Sequence, residues 1–211
     1  MIRVKVCGMN NPGNVKEIAE LKPDIMGFIF FDGSPRYVGN EPEMELFNSV
    51  PPGIKKCGVF YNENYHKILD LSILTGLDMI QLHGKESSTA CLRLKSSGLS
   101  VVKAFSIDVD FHFEFLNQYM PSCDYFLFDT KSEKPGGSGK KFAWGKLEEY
   151  KLDKPFFLSG GISPEDAAEI KSICNRGLFA VDINSRFETS PGIKDAVMIK
   201  TFINELKNDQ I

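Results

Sequence analysis

The sequence predicts one α/β domain over residues 1–211, folded as a (β/α)8 barrel. Three observations support this prediction. Eight short apolar runs recur along the chain, stretches with helical spacing separate them, and the runs are apolar at almost every position. Strands of that composition are typical of parallel sheets, whose two faces are both buried. Right-handed β–α crossovers repeated eight times in one sheet close naturally into a barrel.

The strands are predicted where an apolar run is bounded by turn-forming residues. They cover residues 3–7, 25–31, 56–60, 79–83, 101–106, 125–130, 156–160 and 178–184. An open, doubly wound sheet is the alternative. It is disfavoured because no G-x-G-x-x-G motif follows the first strand and because eight units suit closure.

Helical spacing is visible between several strands and near the end of the chain. Apolar residues recur at helical positions around Val15, Ile68 and Ala167, and again over residues 195–206. The helix after the seventh strand has the clearest start, because Ser163 can cap it and Pro164 suits its first position. These signals place helices between strands, as a (β/α)8 barrel requires.

Composition and charge argue against several classes of protein. A net charge of -3 and a pI near 5.7 are unlike a nucleic-acid binder, which normally carries a basic surface. No apolar run approaches the ~18 residues of a membrane span, and no secretory signal is expected. The five cysteines are scattered, which favours reduced thiols in a cytoplasmic protein. The three histidines are scattered too, so no metal site is predicted.

Polar residues concentrate at the carboxyl ends of the predicted strands, where barrel enzymes have their active sites. Cys7, His83, Asp129 and Asp182 all lie at or near such ends. Asp129 follows an apolar run that would favour a protonated carboxyl, so it is a candidate general acid. The alternative is a solvated aspartate that caps the loop. His83 is a secondary candidate, since histidines at such positions are more often structural.

Cys7 and Arg36 are the other two candidates for chemistry. Cys7 is a potential thiolate base or nucleophile if a positive field lowers its pKa. Lys5 shares its strand parity and is expected to point inward with it. The alternative is a cysteine that only fills space. Arg36 follows Ser34-Pro35, and its planar guanidinium suits bidentate binding of a carboxylate, although an ordinary surface arginine is the commoner case.

Glycines in the last three loops predict a phosphate site. Residues 136–139 read Gly-Gly-Ser-Gly, Gly160 and Gly161 end the seventh strand, and Ser185 follows the eighth. Glycine lets backbone N–H groups approach an anion closely, and barrels often bind phosphate with these loops. The alternative is that the glycines only form turns.

The order of short motifs along the chain resembles that of the phosphoribosylanthranilate isomerases. The motifs are KVCG (5–8), SPR (34–36), CGVF (57–60), QLHG (81–84), FDT (128–130), GGSG (136–139), LSGG (158–161), DINS (182–185) and PGIKD (191–195). None is diagnostic alone, but the ordered set is specific and spans nearly the whole chain.

The resemblance implies a TIM barrel that catalyses an Amadori rearrangement in tryptophan biosynthesis without a cofactor. N-(5-phosphoribosyl)anthranilate would become 1-(2-carboxyphenylamino)-1-deoxyribulose 5-phosphate. Cys7 would be the general base, Asp129 the general acid and Arg36 the ligand of the anthranilate carboxylate. His83 and Asp182 would be further substrate contacts. Backbone N–H groups would hold the phosphate, from Gly137, Ser138, Gly139, Gly160, Gly161 and Ser185.

Two positions depart from the family pattern. Arg186 stands where the family usually has a small residue, and we expect its backbone N–H to face the phosphate while its side chain points to solvent or adds a charge contact. Ser138 stands where threonine is common, which keeps the hydroxyl.

Other readings remain open at this point. One is a different sugar-phosphate barrel, such as an epimerase or an isomerase of histidine biosynthesis. Another is a barrel that only binds a phosphorylated metabolite. The expected partner is the small-molecule substrate, with neither nucleic acid nor membrane, and the expected state is a monomer or weak homodimer.

Overall fold

Eight parallel strands form a closed barrel in a computed structural model that describes residues 2–130, 142–173 and 177–207. Each strand pairs with its neighbours in chain order, and the first pairs with the eighth to close the barrel. The strands are β1 (Arg3–Val6), β2 (Ile25–Ile29), β3 (Lys55–Phe60), β4 (Met79–Leu82), β5 (Ser100–Ile107), β6 (Tyr125–Thr130), β7 (Phe156–Leu158) and β8 (Leu178–Ile183). The predicted barrel is therefore confirmed.

Helices cover the outside of the barrel. They are α1 (Pro12–Ala19), α2 (Met44–Asn48), α3 (Tyr65–Thr75), α4 (Ser88–Lys95), α5 (Ala167–Ile173) and α6 (Ala196–Lys207). In the described parts of the connections after β5 and β6, the chain forms the 3-10 turns Phe113–Tyr119 and Trp144–Glu149. None of the helices in the described ranges is long and apolar enough to cross a membrane.

The predicted helix start at Ser163 is present, with one difference. The chain first makes a 3-10 turn, Pro164–Asp166, and only then continues as α5. The backbone N–H of Ser163 donates to Asp166 Oδ2 at 2.7 Å. The Ser163 side chain and the Asp166 backbone N–H make the return contact of this capping box. The N–H groups at the start of the helix therefore have hydrogen-bond acceptors.

A short hairpin follows β8 and has no counterpart in the predicted strands. It consists of β9 (Glu188–Ser190) and β10 (Ile193–Lys194), which pair antiparallel. The 3-10 turn Ser185–Phe187 connects it to the barrel. The hairpin contacts the first turn of α1, where the Asn14 side chain accepts from Lys194 N at 2.7 Å and donates to Lys194 O at 2.9 Å.

Two apolar clusters alternate along the strands. The larger one joins the outward-facing strand residues to the helices. The smaller one fills the inside of the barrel and comprises Ile25, Cys57, Met79, Val102, Ala104, Leu127, Phe157 and Ala180. Successive strand residues point to opposite faces, so each strand contributes to both clusters. The apolar residues thus fill the middle of the barrel interior.

Candidate active site

A pocket opens at the carboxyl ends of the strands, above the apolar filling of the barrel. Sequence analysis proposed nine site residues that the structure describes, and seven of them line this pocket. They are Cys7, His83, Asp129, Gly160, Gly161, Asp182 and Ser185. The fold thus brings together residues as far apart in the chain as Cys7 and Ser185.

Strand alternation places the polar residues of the site in two levels. Lys5 and Gln81 lie one inward position below Cys7 and His83, on β1 and β4 respectively. Inward-facing residues recur every second position, so the upper pair reaches the pocket and the lower pair forms its floor. The inward direction of Lys5, expected from its parity with Cys7, is confirmed by its contacts.

The floor contains a buried ion pair. Lys5 is fully buried, and its Nζ lies 2.9 Å from both Asp182 oxygens and 2.8 Å from Gln81 Oε1. Burial works to lower the pKa of Lys5, but the surrounding acidic groups, Asp182 foremost, outweigh it and raise that pKa. Burial also raises the pKa of Asp182, since Lys5 compensates only part of the lost hydration. The ammonium is therefore a fixed positive charge beneath the pocket.

Cys7 lies just beyond the last residue of β1, with its backbone N–H bonded to Ile183 O at 2.9 Å. A glycine on the neighbouring strand makes room for the thiol, because a Cβ on Gly27 would lie 2.8 Å from Cys7 Sγ. Burial raises the pKa of the Cys7 thiol, and the positive charges of Lys5 and Lys194 only partly oppose this. At neutral pH the thiol form predominates in the free protein.

Asp129 and His83 contact each other across the pocket. His83 Nε2 lies 3.2 Å from Asp129 Oδ2. The other carboxylate oxygen, Oδ1, accepts from the backbone N–H of Thr130 at 2.8 Å. Asp129 and Cys7 both line the pocket, and the two strands β7 and β8 separate β6 from β1. A ligand held between Cys7 and Asp129 can therefore meet one group on each side.

Gly160 allows the loop after β7 to pass directly beside Asp129. Its backbone has a φ of 93°, in the region that favours glycine. A Cβ there would clash with Thr130 and lie 2.7 Å from Asp129 Oδ1. Gly161 also has a positive φ, of 68°. This conformation brings the backbone of both glycines to the pocket.

Arg36 lies beside the pocket and is already paired. Its Nε and Nη2 donate to the two oxygens of Glu188 at 2.8 and 2.6 Å. Glu188 Oε1 also accepts from Lys194 Nζ at 2.6 Å and from Gly192 N at 3.1 Å. Burial works to raise the pKa of Glu188, but the hydrogen bonds and charges of Arg36 and Lys194 outweigh it and lower that pKa. Arg36 and Lys194 thus share one carboxylate, and burial lowers the pKa of Lys194 while the charge of Glu188 opposes this.

Sequence reasoning missed several residues of this arrangement. Gln81 could have been found, because a polar residue within the apolar run of β4 shares the inward parity of His83. Glu188 and Lys194 gave no such signal, because they belong to the hairpin and reach Arg36 only through tertiary folding. Arg186 lies exposed in the turn after β8.

Three proposed phosphate ligands cannot be placed. Gly137, Ser138 and Gly139 lie outside the described residues.

Comparison with known proteins identifies the family. Residues 4–205 match the family model described as N-(5'-phosphoribosyl)anthranilate (PRA) isomerase. The N-(5'-phosphoribosyl)anthranilate isomerase of Phocaeicola vulgatus is 43% identical over 204 residues, which cover 97% of each chain.

Solved structures agree with this match. The phosphoribosyl anthranilate isomerase of Thermotoga maritima superposes with a TM-score of 0.87 and 35% identity, covering 98% of this chain and 99% of that one. A phosphoribosyl anthranilate isomerase in complex with reduced 1-(o-carboxyphenylamino)-1-deoxyribulose 5-phosphate gives a TM-score of 0.83 and 32% identity, with coverage of 98% and 99%. The chain therefore belongs to the N-(5'-phosphoribosyl)anthranilate isomerase family.

Proposed function

We propose that this chain is an aldose–ketose isomerase that converts N-(5-phosphoribosyl)anthranilate to 1-(2-carboxyphenylamino)-1-deoxyribulose 5-phosphate in tryptophan biosynthesis. The observation that carries the proposal is the convergence of Cys7 and Asp129 on one pocket, in a chain that belongs to this family. An acid and a base on two sides of a ligand are what an Amadori rearrangement needs.

Asp129 is the proposed general acid. It would protonate the furanose ring oxygen, so that the C1–O bond breaks and a Schiff base forms at C1. The side chain is partly exposed to the pocket, which lets a substrate atom reach it. The contact with His83 Nε2 and the bond from Thr130 N hold the carboxyl in place. Both donors would stabilise the carboxylate that remains after proton transfer.

Cys7 is the proposed general base. It would remove the proton from C2 of the sugar, giving an enolamine that tautomerises to the ketone. Only the thiolate can accept this proton, and burial raises the pKa of the thiol. The reactive form of Cys7 is therefore a minority at neutral pH.

Arg36 is the proposed ligand of the anthranilate carboxylate. Nε and Nη2 are bonded to Glu188, so the substrate carboxylate would be met by the other terminal nitrogen, Nη1, or would have to displace Glu188. The positive charge left by Arg36 and Lys194 around a single Glu188 favours an anion here. His83 and Asp182 remain proposed substrate contacts, and both line the pocket.

The phosphate is proposed to bind at the loops after β7 and β8, on the same rim of the barrel as the catalytic groups. Gly160, Gly161 and Ser185 line the pocket after β7 and β8, where barrels commonly hold phosphate. The other proposed ligands are Gly137, Ser138, Gly139 and Arg186. We also propose that the protein is cytoplasmic and a monomer or weak homodimer, the latter measurable by sedimentation velocity.

Turnover tests the proposed activity directly. Phosphoribosylanthranilate is generated enzymatically and the loss of its anthranilate-type fluorescence is followed. We expect turnover by the wild type and a strong decrease for Asp129→Asn and Cys7→Ala. A sugar-phosphate epimerase or a barrel that only binds the metabolite would show no fluorescence loss above background, and that result would exclude the proposed reaction.

A further inference from the structure

Four side chains form a continuous row of contacts from the floor of the barrel to its mouth. Lys5 Nζ lies 2.8 Å from Gln81 Oε1, and Gln81 Nε2 lies 2.8 Å from His83 Nδ1. His83 Nε2 then lies 3.2 Å from Asp129 Oδ2. Lys5 and Gln81 are buried, with exposed fractions of 0% and 2%, so water does not compete for these bonds.

Which atom donates in each of these hydrogen bonds follows from the chemistry of the groups. An ammonium group can only donate, so the amide of Gln81 must turn its oxygen toward Lys5. Its nitrogen then faces His83, and because an amide nitrogen can only donate, His83 Nδ1 must accept. A neutral imidazole with an accepting Nδ1 carries its proton on Nε2, the nitrogen beside Asp129.

Lys5 is itself held in place by Asp182, so the orientation of the Gln81 amide is fixed. Asp182 binds the ammonium with both oxygens at 2.9 Å and keeps it charged. Rotation of the Gln81 amide would place its NH2 group against this ammonium, two donors facing each other. The tautomer of His83 is therefore determined by an ion pair two side chains away.

We propose that Gln81 is a positioning residue that holds His83 in the Nε2–H tautomer, so that His83 stabilises the carboxylate form of Asp129. This rests on the proposed function, in which Asp129 gives its proton to the ring oxygen of the substrate. The Nε2–H group then faces a new negative charge and strengthens Asp129 as an acid. With the other tautomer, a lone pair would face that charge and oppose the transfer.

The tautomer is measurable without substrate. The chain has three histidines, and His66 and His112 are exposed, so they serve as internal references for nitrogen-15 NMR of the imidazoles. We expect His83 to show an unprotonated Nδ1 and a protonated Nε2 at neutral pH. A protonated Nδ1 in the wild type overturns the proposal, and this readout does not depend on turnover.

The variant Gln81→Glu tests the cause. A carboxylate can only accept, so it would still bind Lys5 but would draw a proton onto His83 Nδ1. We expect the Nδ1 resonance of His83 to change to its protonated position, with His66 and His112 unchanged. An unaltered Nδ1 resonance in the folded variant overturns the role of Gln81.

Kinetics test the consequence for Asp129. Gln81→Met removes both bonds of the amide at similar size, and we expect kcat to fall about ten- to a hundredfold with KM changed less than about threefold. If Gln81 acts through His83, the same substitution causes no further decrease in a His83→Asn background. An equal decrease in both backgrounds overturns the proposal. Absence of turnover in the wild type instead rejects the proposed reaction, while NMR still decides the tautomer.

Discussion

Glu188→Gln tests how strongly the buried ion pairs of Glu188 with Arg36 and Lys194, beside the pocket, stabilise the fold. Glutamine nearly matches glutamate in shape, so the substitution changes charge and hydrogen bonding rather than volume. Oε1 of Glu188 accepts from Arg36, Gly192 and Lys194, and Oε2 accepts from Arg36 Nη2. An amide in that place has one oxygen, and its nitrogen would face a donor. Both cations would then lack a counter-charge.

The size of the effect follows from burial. The side chains of Arg36, Glu188 and Lys194 are exposed by only 8%, 4% and 0%. Removing one partner of a buried ion pair costs about 3–5 kcal/mol, because the remaining charge is neither hydrated nor paired. That is a large part of the roughly 5–15 kcal/mol by which domains are stable. We therefore expect Glu188→Gln to lower the free energy of unfolding by about 3–5 kcal/mol.

Urea denaturation measures this change, and a second ion pair provides the control. Glu45 and Lys16 lie at a similar distance, 2.8 Å, but are 57% and 59% exposed. Glu45→Gln should alter the unfolding free energy by no more than about 1 kcal/mol. An effect of Glu188→Gln as small as that of Glu45→Gln would refute the argument from burial.

The pH dependence adds an independent check. The pKa of Glu188 is lowered in the folded state, below the 4.5 of an ordinary glutamate. A carboxyl group whose pKa is lower in the folded than in the unfolded state stabilises the fold. This contribution is complete when the pH lies above the pKa of the unfolded state, and it is lost as the pH falls through the pKa of the folded state. The stability difference between wild type and Glu188→Gln should thus be constant above about pH 5 and shrink below pH 4.5. A difference that is unchanged at lower pH would contradict this linkage.

Four further predictions concern the pocket. Asp129→Asn should lower kcat by about 10²–10⁴-fold, as expected for loss of a general acid, and a near-normal kcat would show that another group donates the proton. Alkylation of Cys7 by iodoacetamide, followed by peptide mapping, should reach half its maximal rate above the pH of about 8.5 typical of free thiols, because burial raises its pKa; a midpoint below 8 would contradict this. Gly160→Ala should reduce both stability and kcat, since its Cβ would lie 2.7 Å from Asp129 Oδ1, and unaltered circular dichroism melting and kinetics would refute the steric argument. Arg186→Gly should raise KM by up to about fivefold, the range of an exposed charge contact, and an unchanged KM would place that side chain away from the phosphate.

The barrel itself could be predicted from local patterns. Strands buried on both faces must be apolar throughout, and the eight runs are visible in the sequence for that reason. The ends of the strands were also predictable to within two residues, because turn residues and glycines interrupt the runs there. Since barrel strands are parallel, their carboxyl ends share one rim, and Cys7, His83, Asp129 and Asp182 could be expected to meet.

Other parts of the site depend on contacts between residues far apart in the sequence, which no local pattern predicts. Arg36 was expected to bind the carboxylate of the substrate, but Glu188, 152 residues later in a hairpin, already accepts from its Nε and Nη2. The protonation state of Cys7 also depends on residues that only the fold brings close. Burial raises its pKa while Lys5 and Lys194 lower it, and the balance depends on distances that only the folded chain sets.

The sequence by itself determined the eight barrel strands, their order and the rim on which the reactive groups lie, because alternation and composition act over a few residues. Tertiary structure decided the directions of the hydrogen bonds and the charges of the groups. Gln81 has no fixed orientation until Lys5 faces it, and Lys5 is 76 residues away in the chain. Electrostatic and hydrogen-bond energies depend on distance and burial in three dimensions, so they exist only once the barrel has closed.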